Sequence, residues 1–135
     1  LTTAILALVL PMLVLVGATP AVAATPTLEI GSVTLVAKGA GVRLDFVVTC
    51  DEGSSVELRA TITQAVGNRI AHGSVPQYRV WTCTGQPQPL STLIPADVAG
   101  APFRTGEALL LATIYACPGA NCEEARVEQV VRIVR

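Results

Sequence analysis

Few side chains in this sequence could do chemistry. The one histidine, His72, lies in Ala71-His72-Gly73-Ser74. A Ser-His-Asp site would need a serine within hydrogen-bond reach and a carboxylate to orient the ring. Ser74 is two residues away, and no Gly-x-Ser-x-Gly elbow occurs anywhere. His72 therefore reads as an exposed residue of a short edge strand. The cysteines are Cys50, Cys83, Cys117 and Cys122. Zinc wants several Cys or His ligands at characteristic spacing, and one histidine cannot complete such a site with these. An even count in a short exported chain reads instead as a disulfide framework, with three connectivities open.

The acidic pairs Asp51-Glu52 and Glu123-Glu124 lack the alternating oxygen ligands of a calcium loop and read as solvated turn charge. Glu107 and Glu124 could form a carboxylate pair, but nothing else suggests a glycosidase groove. Trp81 and Tyr78 could form an aromatic platform, although a tryptophan two residues from a disulfide cysteine in a sandwich reads first as core packing. The segment Pro118-Gly119-Ala120-Asn121, flanked by Cys117 and Cys122, is the most distinctive exposed feature. A stapled loop lowers the ordering cost of binding, and hairpin stapling explains the same residues. These readings lead to no catalytic residue, no metal and no cofactor, so an enzyme is not expected.

The elements that would carry these residues are strands. Val42, Leu44, Phe46, Val48 and Cys50 share one parity, while Arg43, Asp45 and Thr49 take the other, which places Cys50 on a buried face. Val56, Leu58, Ala60 and Ile62 repeat the pattern up to Gly67-Asn68. Earlier, Leu28-Glu29-Ile30 and Val33-Thr34-Leu35 switch parity across Gly31-Ser32, as a bulged strand does. Residues 37–41 form a turn. Arg69 to Ser74 and Leu90 to Ile94 are candidate short strands, the latter weakened by Pro87 and Pro89. Tyr78 to Thr82 leads into Cys83. Glu107 to Ala116 is apolar on both parities, which predicts a strand covered on both sides or a buried helical segment. Val127, Gln129, Val131 and Ile133 alternate with Arg126, Glu128 and Arg132 as a last strand. This layout pairs Cys117 with Cys122 across a hairpin and leaves Cys50 for Cys83.

The chain has 135 residues, enough for one domain. No charged side chain occurs before Glu29. The apolar run from Ala4 to Val16 passes through Gly17 and Pro20 into Ala21-Val22-Ala23-Ala24, the order of an h-region and a small-residue cleavage site. Pro11 interrupts the run, and no Lys or Arg flanks it, which argues against a spanning anchor. The expected organisation is a signal peptide over 1–24 and one domain over 25–135. The formal net charge of −1 mixes both signs and carries no footprint for nucleic acid or an anionic membrane.

The series Cys50-x-x-Gly53, Gln64, Gly67, Gly73, Cys83-Thr84-Gly85 and Phe103-x-x-Gly106, followed by the loop from Ala116 to Cys122, resembles a group of small exported actinobacterial proteins. The resemblance runs from about Val33 to Val134 and implies an immunoglobulin-like domain with no catalytic or binding residue to carry over. The short disulfide loop near the C-terminus is also similar to the enediyne-carrying apoproteins of the neocarzinostatin type. That likeness implies a carrier of a small apolar ligand, but the first bridge here spans a longer stretch and the glycine-rich ligand-lining segments do not match.

The expectation is an all-β, immunoglobulin-like Greek-key sandwich of about seven strands with two disulfides. It would be secreted or held at the cell wall, act as a monomer, and serve as a non-catalytic interaction module. Its expected partner is a protein or a cell-envelope component. The alternative is the apolar-ligand carrier.

Overall fold

A computed structural model describes residues 25–75 and 80–135. The expected signal peptide, 1–24, and Tyr78 lie outside the described residues. Eight strands follow one another: β1 Thr27–Val36, β2 Gly41–Thr49, β3 Ser55–Val66, β4 Arg69–Ser74, β5 Val80–Thr82, β6 Gln88–Pro95, β7 Gly106–Cys117 and β8 Glu123–Val134. A single 3-10 turn, Ala37–Gly39, links β1 to β2.

Period-two patterning decides which way each strand faces. On β2, Val42, Leu44, Phe46 and Val48 are buried while Arg43 is exposed. On β3, Val56, Leu58, Ala60 and Ile62 point inward, and the polar Gln64 takes the next inward position. The parity switch on β1 is a bulge: Ile30 pairs with Phe46 and Val33 with Leu44, so Gly31 and Ser32 together oppose Asp45. A Cβ on Gly31 would stand 2.9 Å from the Asp45 carbonyl oxygen. The β3–β4 hairpin closes through Gly67-Asn68, with positive φ at Gly67 alone of the two, as a type II′ turn requires.

The strands run β4-β3-β7-β8-β1-β2-β6 in one hydrogen-bonded path, with β5 added beside the first residues of β3. All pairings are antiparallel except a two-residue parallel contact of β1 with β8, Val33 with Ile133 and Thr34 with Val134. The sheet curls until its two ends meet. Gly73 on β4 bridges to Ala96 just past β6, the Asp97 N–H donates to the His72 carbonyl (2.7 Å), and the Ala101 N–H donates to the Ile70 carbonyl (2.9 Å). Gly73 is needed at this seam, because a Cβ there would collide with the Pro95 carbonyl oxygen. The core fills the concave side, with Phe46, Leu44, Leu58, Ile62, Ile94, Leu110, Ile114 and Ile133 almost fully enclosed.

The result is an all-β domain of eight strands in one curled sheet. Where two separate sheets were expected, hydrogen bonding runs unbroken from β4 to β6, because β1 pairs with β2 on one side and reaches β8 on the other. Cys50 is bonded to Cys83 and Cys117 to Cys122, leaving no free thiol. Bonds of this kind persist in an oxidising, extracytoplasmic environment.

One local expectation needs correction, and a second, the candidate strand at Leu90 to Ile94, is borne out and lengthened. β7 is central, but it is covered on one face only among the described residues. Ala108, Leu110, Ala112, Ile114 and Ala116 are buried, whereas Leu109 is 46% exposed. The apolar outward parity of β7 meets Val130 of β8 and Thr63 and Thr61 of β3 rather than a second layer. β6 extends over Gln88–Pro95 despite Pro89, because it pairs only with β2 along its length and lies at an end of the path, where a missing N–H is tolerated.

Candidate functional site

The most built feature outside the core is an open cleft at one end of the curled sheet, lined by Leu35, Lys38, Phe103, Arg104, Thr105 and Arg135, with a volume of about 470 Å³. Three parts of the chain form it. The first is the β1–β2 turn, where Ala37, Lys38 and Gly39 all have positive φ (46°, 56° and 98°). Non-glycine residues avoid that region, so Ala37 and Lys38 are held there by their surroundings. Gly39 cannot carry a side chain: its Cβ would run into the Phe103 carbonyl oxygen. Its own carbonyl accepts the Phe103 N–H at 2.9 Å, which fastens the turn to the second part.

That second part is the loop from Phe103 to Thr105. Phe103 is 1% exposed and seals this end of the core, so its ring fixes where the loop begins. Gln64, 4% exposed, reaches it from β3. The Gln64 Nε2 donates to the Arg104 carbonyl (2.8 Å) and, more weakly, to the Glu107 carbonyl (3.3 Å), while its Oε1 accepts the Arg104 N–H (2.9 Å). One buried amide thus grips both polar groups of a single peptide residue. That fully satisfies the only polar side chain on the inward face of β3, as burial demands. The third part is Arg135, at the end of β8.

Three cations, Lys38, Arg104 and Arg135, therefore line one cleft whose floor includes the apolar Leu35 and Phe103. No Asp or Glu is among its lining residues, and none of the three cations makes an ion pair with another side chain among the described residues. Opposite charge is supplied elsewhere: Arg43 meets Asp45, Arg59 meets Glu57, and Arg126 meets Glu128. The arrangement can receive one anionic group joined to an apolar portion. It is too small to track a nucleic-acid backbone, which needs several successive phosphate contacts.

The side chains singled out from sequence fall elsewhere. His72 is on β4 and does find a carboxylate: its Nδ1 lies 2.9 Å from Asp97 Oδ2, across the seam. His72 stays on a short strand at one end of the path with its side chain 42% exposed, and the Asp97 contact is added to that reading. The seam itself explains it, since the β4–β6 closure brings Asp97 beside a residue 25 positions earlier. Among the described residues no serine hydroxyl is bonded to the ring, so the pair has an orienter and no nucleophile. Glu107 and Glu124 stand opposite Arg132 and Tyr115 at the two ends of the β7–β8 hairpin. Eight strand residues separate these positions along β7, about 27 Å, which is far beyond a carboxylate pair's reach.

No group of three or more His, Cys, Asp or Glu side chains that could hold a metal occurs among the described residues. Trp81 packs edge-on against Phe46 with ring centroids 5.8 Å apart, so it belongs to the core margin. The residues from Pro118 to Asn121 are exposed, between the bonded cysteines. Asp45 is held off its ordinary ionisation. The Ser32 hydroxyl, donating at 2.6 Å, lowers its carboxyl below the usual aspartate range, helped by Ser91 and Arg43 and opposed by partial desolvation.

Sequence reading missed the cationic cleft because its members are scattered, at positions 38, 104 and 135. The signal that pointed nearby was the set Gln64, Phe103 and Gly106, which carries part of the family resemblance and proves to support the loop.

No family model matches this chain, and no curated protein matches it. Among solved structures, the solution structure of CsgH from R. palustris is similar, with a TM-score of 0.40 at 10% identity, covering 77% of this chain and 92% of that one. A protein described as late embryogenesis abundant (LEA), also solved in solution, gives a TM-score of 0.39 at 12% identity, covering 82% of this chain and 72% of that one.

Proposed function

We propose that this domain is a non-catalytic binding module of the extracytoplasmic space, and that its cleft receives an anionic group attached to an apolar body. The observation that carries this reading is the convergence of Lys38, Arg104 and Arg135 over Leu35 and Phe103, with no Asp or Glu among the described lining residues. Cations gathered by a strained turn and a clamped loop, with no ion pair among the described residues, are costly to arrange for stability alone, because like charges repel. The disulfides support export, and the order of elements supports an immunoglobulin-like Greek key. Consecutive strands β2 and β3 are not neighbours, while β3 lies beside β7 and β2 beside β6. The likeness to small exported actinobacterial domains fits the same reading, since Gln64, Gly73, Phe103 and Gly106 all serve the seam or the loop.

On this reading the partner is an anionic amphiphile or an acidic cell-envelope component, met at one end of the sheet. The expected apolar-ligand carrier shares the apolar floor but not the need for cations. Calorimetric titration with dodecyl phosphate, inorganic phosphate and neutral dodecyl maltoside separates the two. Dodecyl phosphate should bind more tightly than either of the others, and Lys38→Gln and Arg104→Gln should each weaken it by roughly 5- to 10-fold. Equal binding of the neutral detergent, unchanged in both variants, would leave the carrier and remove the anion site.

A further inference from the structure

We infer that the N-terminal part of β8 is a self-association edge, at which two copies of this chain join their sheets antiparallel about a two-fold axis at Val127. β8 pairs with β7 along Glu123–Ile133, but on its other side β1 reaches it only at Ile133 and Val134. Residues 123–132 therefore present a row of backbone donors and acceptors with no second strand among the described residues. Such an edge is a template for another strand.

The other ends of the sheet are managed differently. The β4 edge is covered by the segment that follows β6, through the bonds at Ile70, His72 and Gly73. β6 carries Pro89 and Pro95, which remove two backbone donors. β8 has neither a proline nor a bulge from Glu123 to Val134.

Charge selects both the occupant and the register. In an isologous antiparallel pair, residue i faces residue j and j faces i. With the axis at Val127, Arg126 of each copy faces Glu128 of the other, giving two opposite-charge pairs on the outer face. Val127 then faces Val127, and Ala125 faces Gln129, on the inward parity where Ala125 and Val127 are already half-buried. Moving the axis to Arg126 sets that arginine against itself and Glu124 against Glu128. Moving it to Glu128 sets that glutamate against itself. An axis at Ala125 pairs Glu124 with Arg126 but overlaps only residues 123–127 of the strand, against 123–131 for the axis at Val127. The expectation of a monomer from sequence did not include this edge, since it depends on where β1 leaves β8.

The test is sedimentation equilibrium on the disulfide-bonded protein recovered from an oxidising compartment, with Arg126→Glu, Glu128→Arg and the double swap R126E/E128R. These positions are exposed, so folding should survive and can be checked by circular dichroism. The wild-type protein should show a reversible dimer. Each single swap makes both cross-copy pairs repulsive and should raise the dissociation constant by about tenfold or more, and the double swap should restore it. A protein that stays monomeric across the concentration range overturns the inference. So does a dimer that none of the swaps disturbs.

Discussion

Replacing Gln64 by leucine should destabilise the domain far more than a polar-to-apolar change at a buried site ordinarily suggests. Gln64 makes three hydrogen bonds, two to Arg104 and one to Glu107, from a position 4% exposed. Each such bond contributes about 1 kcal/mol net, so their loss removes about 3 kcal/mol. Arg104 is exposed, and water recovers part of this on its N–H and carbonyl, while leucine adds apolar burial. The expected loss is about 2 kcal/mol, roughly 10 °C in Tm. Urea unfolding followed by the fluorescence of Trp81, the single tryptophan, measures it.

Gln64→Glu sharpens the test. The introduced carboxylate keeps the bond from the Arg104 N–H but faces two carbonyl oxygens to which it cannot donate. Its folded pKa should therefore rise above the unfolded value of about 4.3. A group raised in this way stabilises below its unfolded pKa and loses that contribution as pH climbs through the folded one. Q64E should thus be less destabilised at pH 5 than at pH 8, while Q64L shows no such difference. A Q64L protein within about 0.5 kcal/mol of wild type, or a pH-independent Q64E, would refute the clamp.

Removing the two disulfides should have unequal effects. On the chain-entropy model the Cys50–Cys83 bridge, with a separation of 33, contributes about 3.7 kcal/mol, and the Cys117–Cys122 bridge, with a separation of 5, about 2 kcal/mol. Paired alanine variants compared by urea unfolding check this order, and intact mass after alkylation should show no free thiol in the wild type. Gly39→Ala should cost more than about 2 kcal/mol, since it adds a left-handed alanine and a collision with the Phe103 carbonyl. Urea unfolding of that variant checks it. Asp45 has a lowered folded pKa, so its contribution is present above the unfolded value of about 3.9 and lost as pH falls through the folded one. Its side chain is over a third exposed, so Asp45→Asn should be less stable than wild type by well under ~1 kcal/mol above about pH 4, and urea unfolding at lower pH should show that difference disappearing.

How much of this was legible in the sequence varied with distance along the chain. β2 could be read residue by residue, because Val42 to Cys50 alternate without exception on the buried parity. The bulge at Gly31-Ser32 was equally plain, since a parity switch has few other causes. β7 misled because leucines at both parities mimic a doubly covered strand, and exposed Leu109 and half-buried Leu111 gave no local sign of facing outward.

Closure of the sheet was hidden. It brings Asp97 to His72 and depends on Gly73, whose role is defined by a carbonyl 22 residues later. The cleft was hidden for the same reason. Lys38, Arg104 and Arg135 are ordinary surface cations until β1, β7 and β8 bring their ends together.

The most direct test of the binding reading is a map of backbone amide shifts as dodecyl phosphate is titrated into the isotope-labelled protein. Saturable changes centred on Lys38, Arg104 and Thr105, reduced in Lys38→Gln and Arg104→Gln, are the expected result. Shifts that gather instead at the loop from Pro118 to Asn121, or that match those caused by dodecyl maltoside, would contradict it.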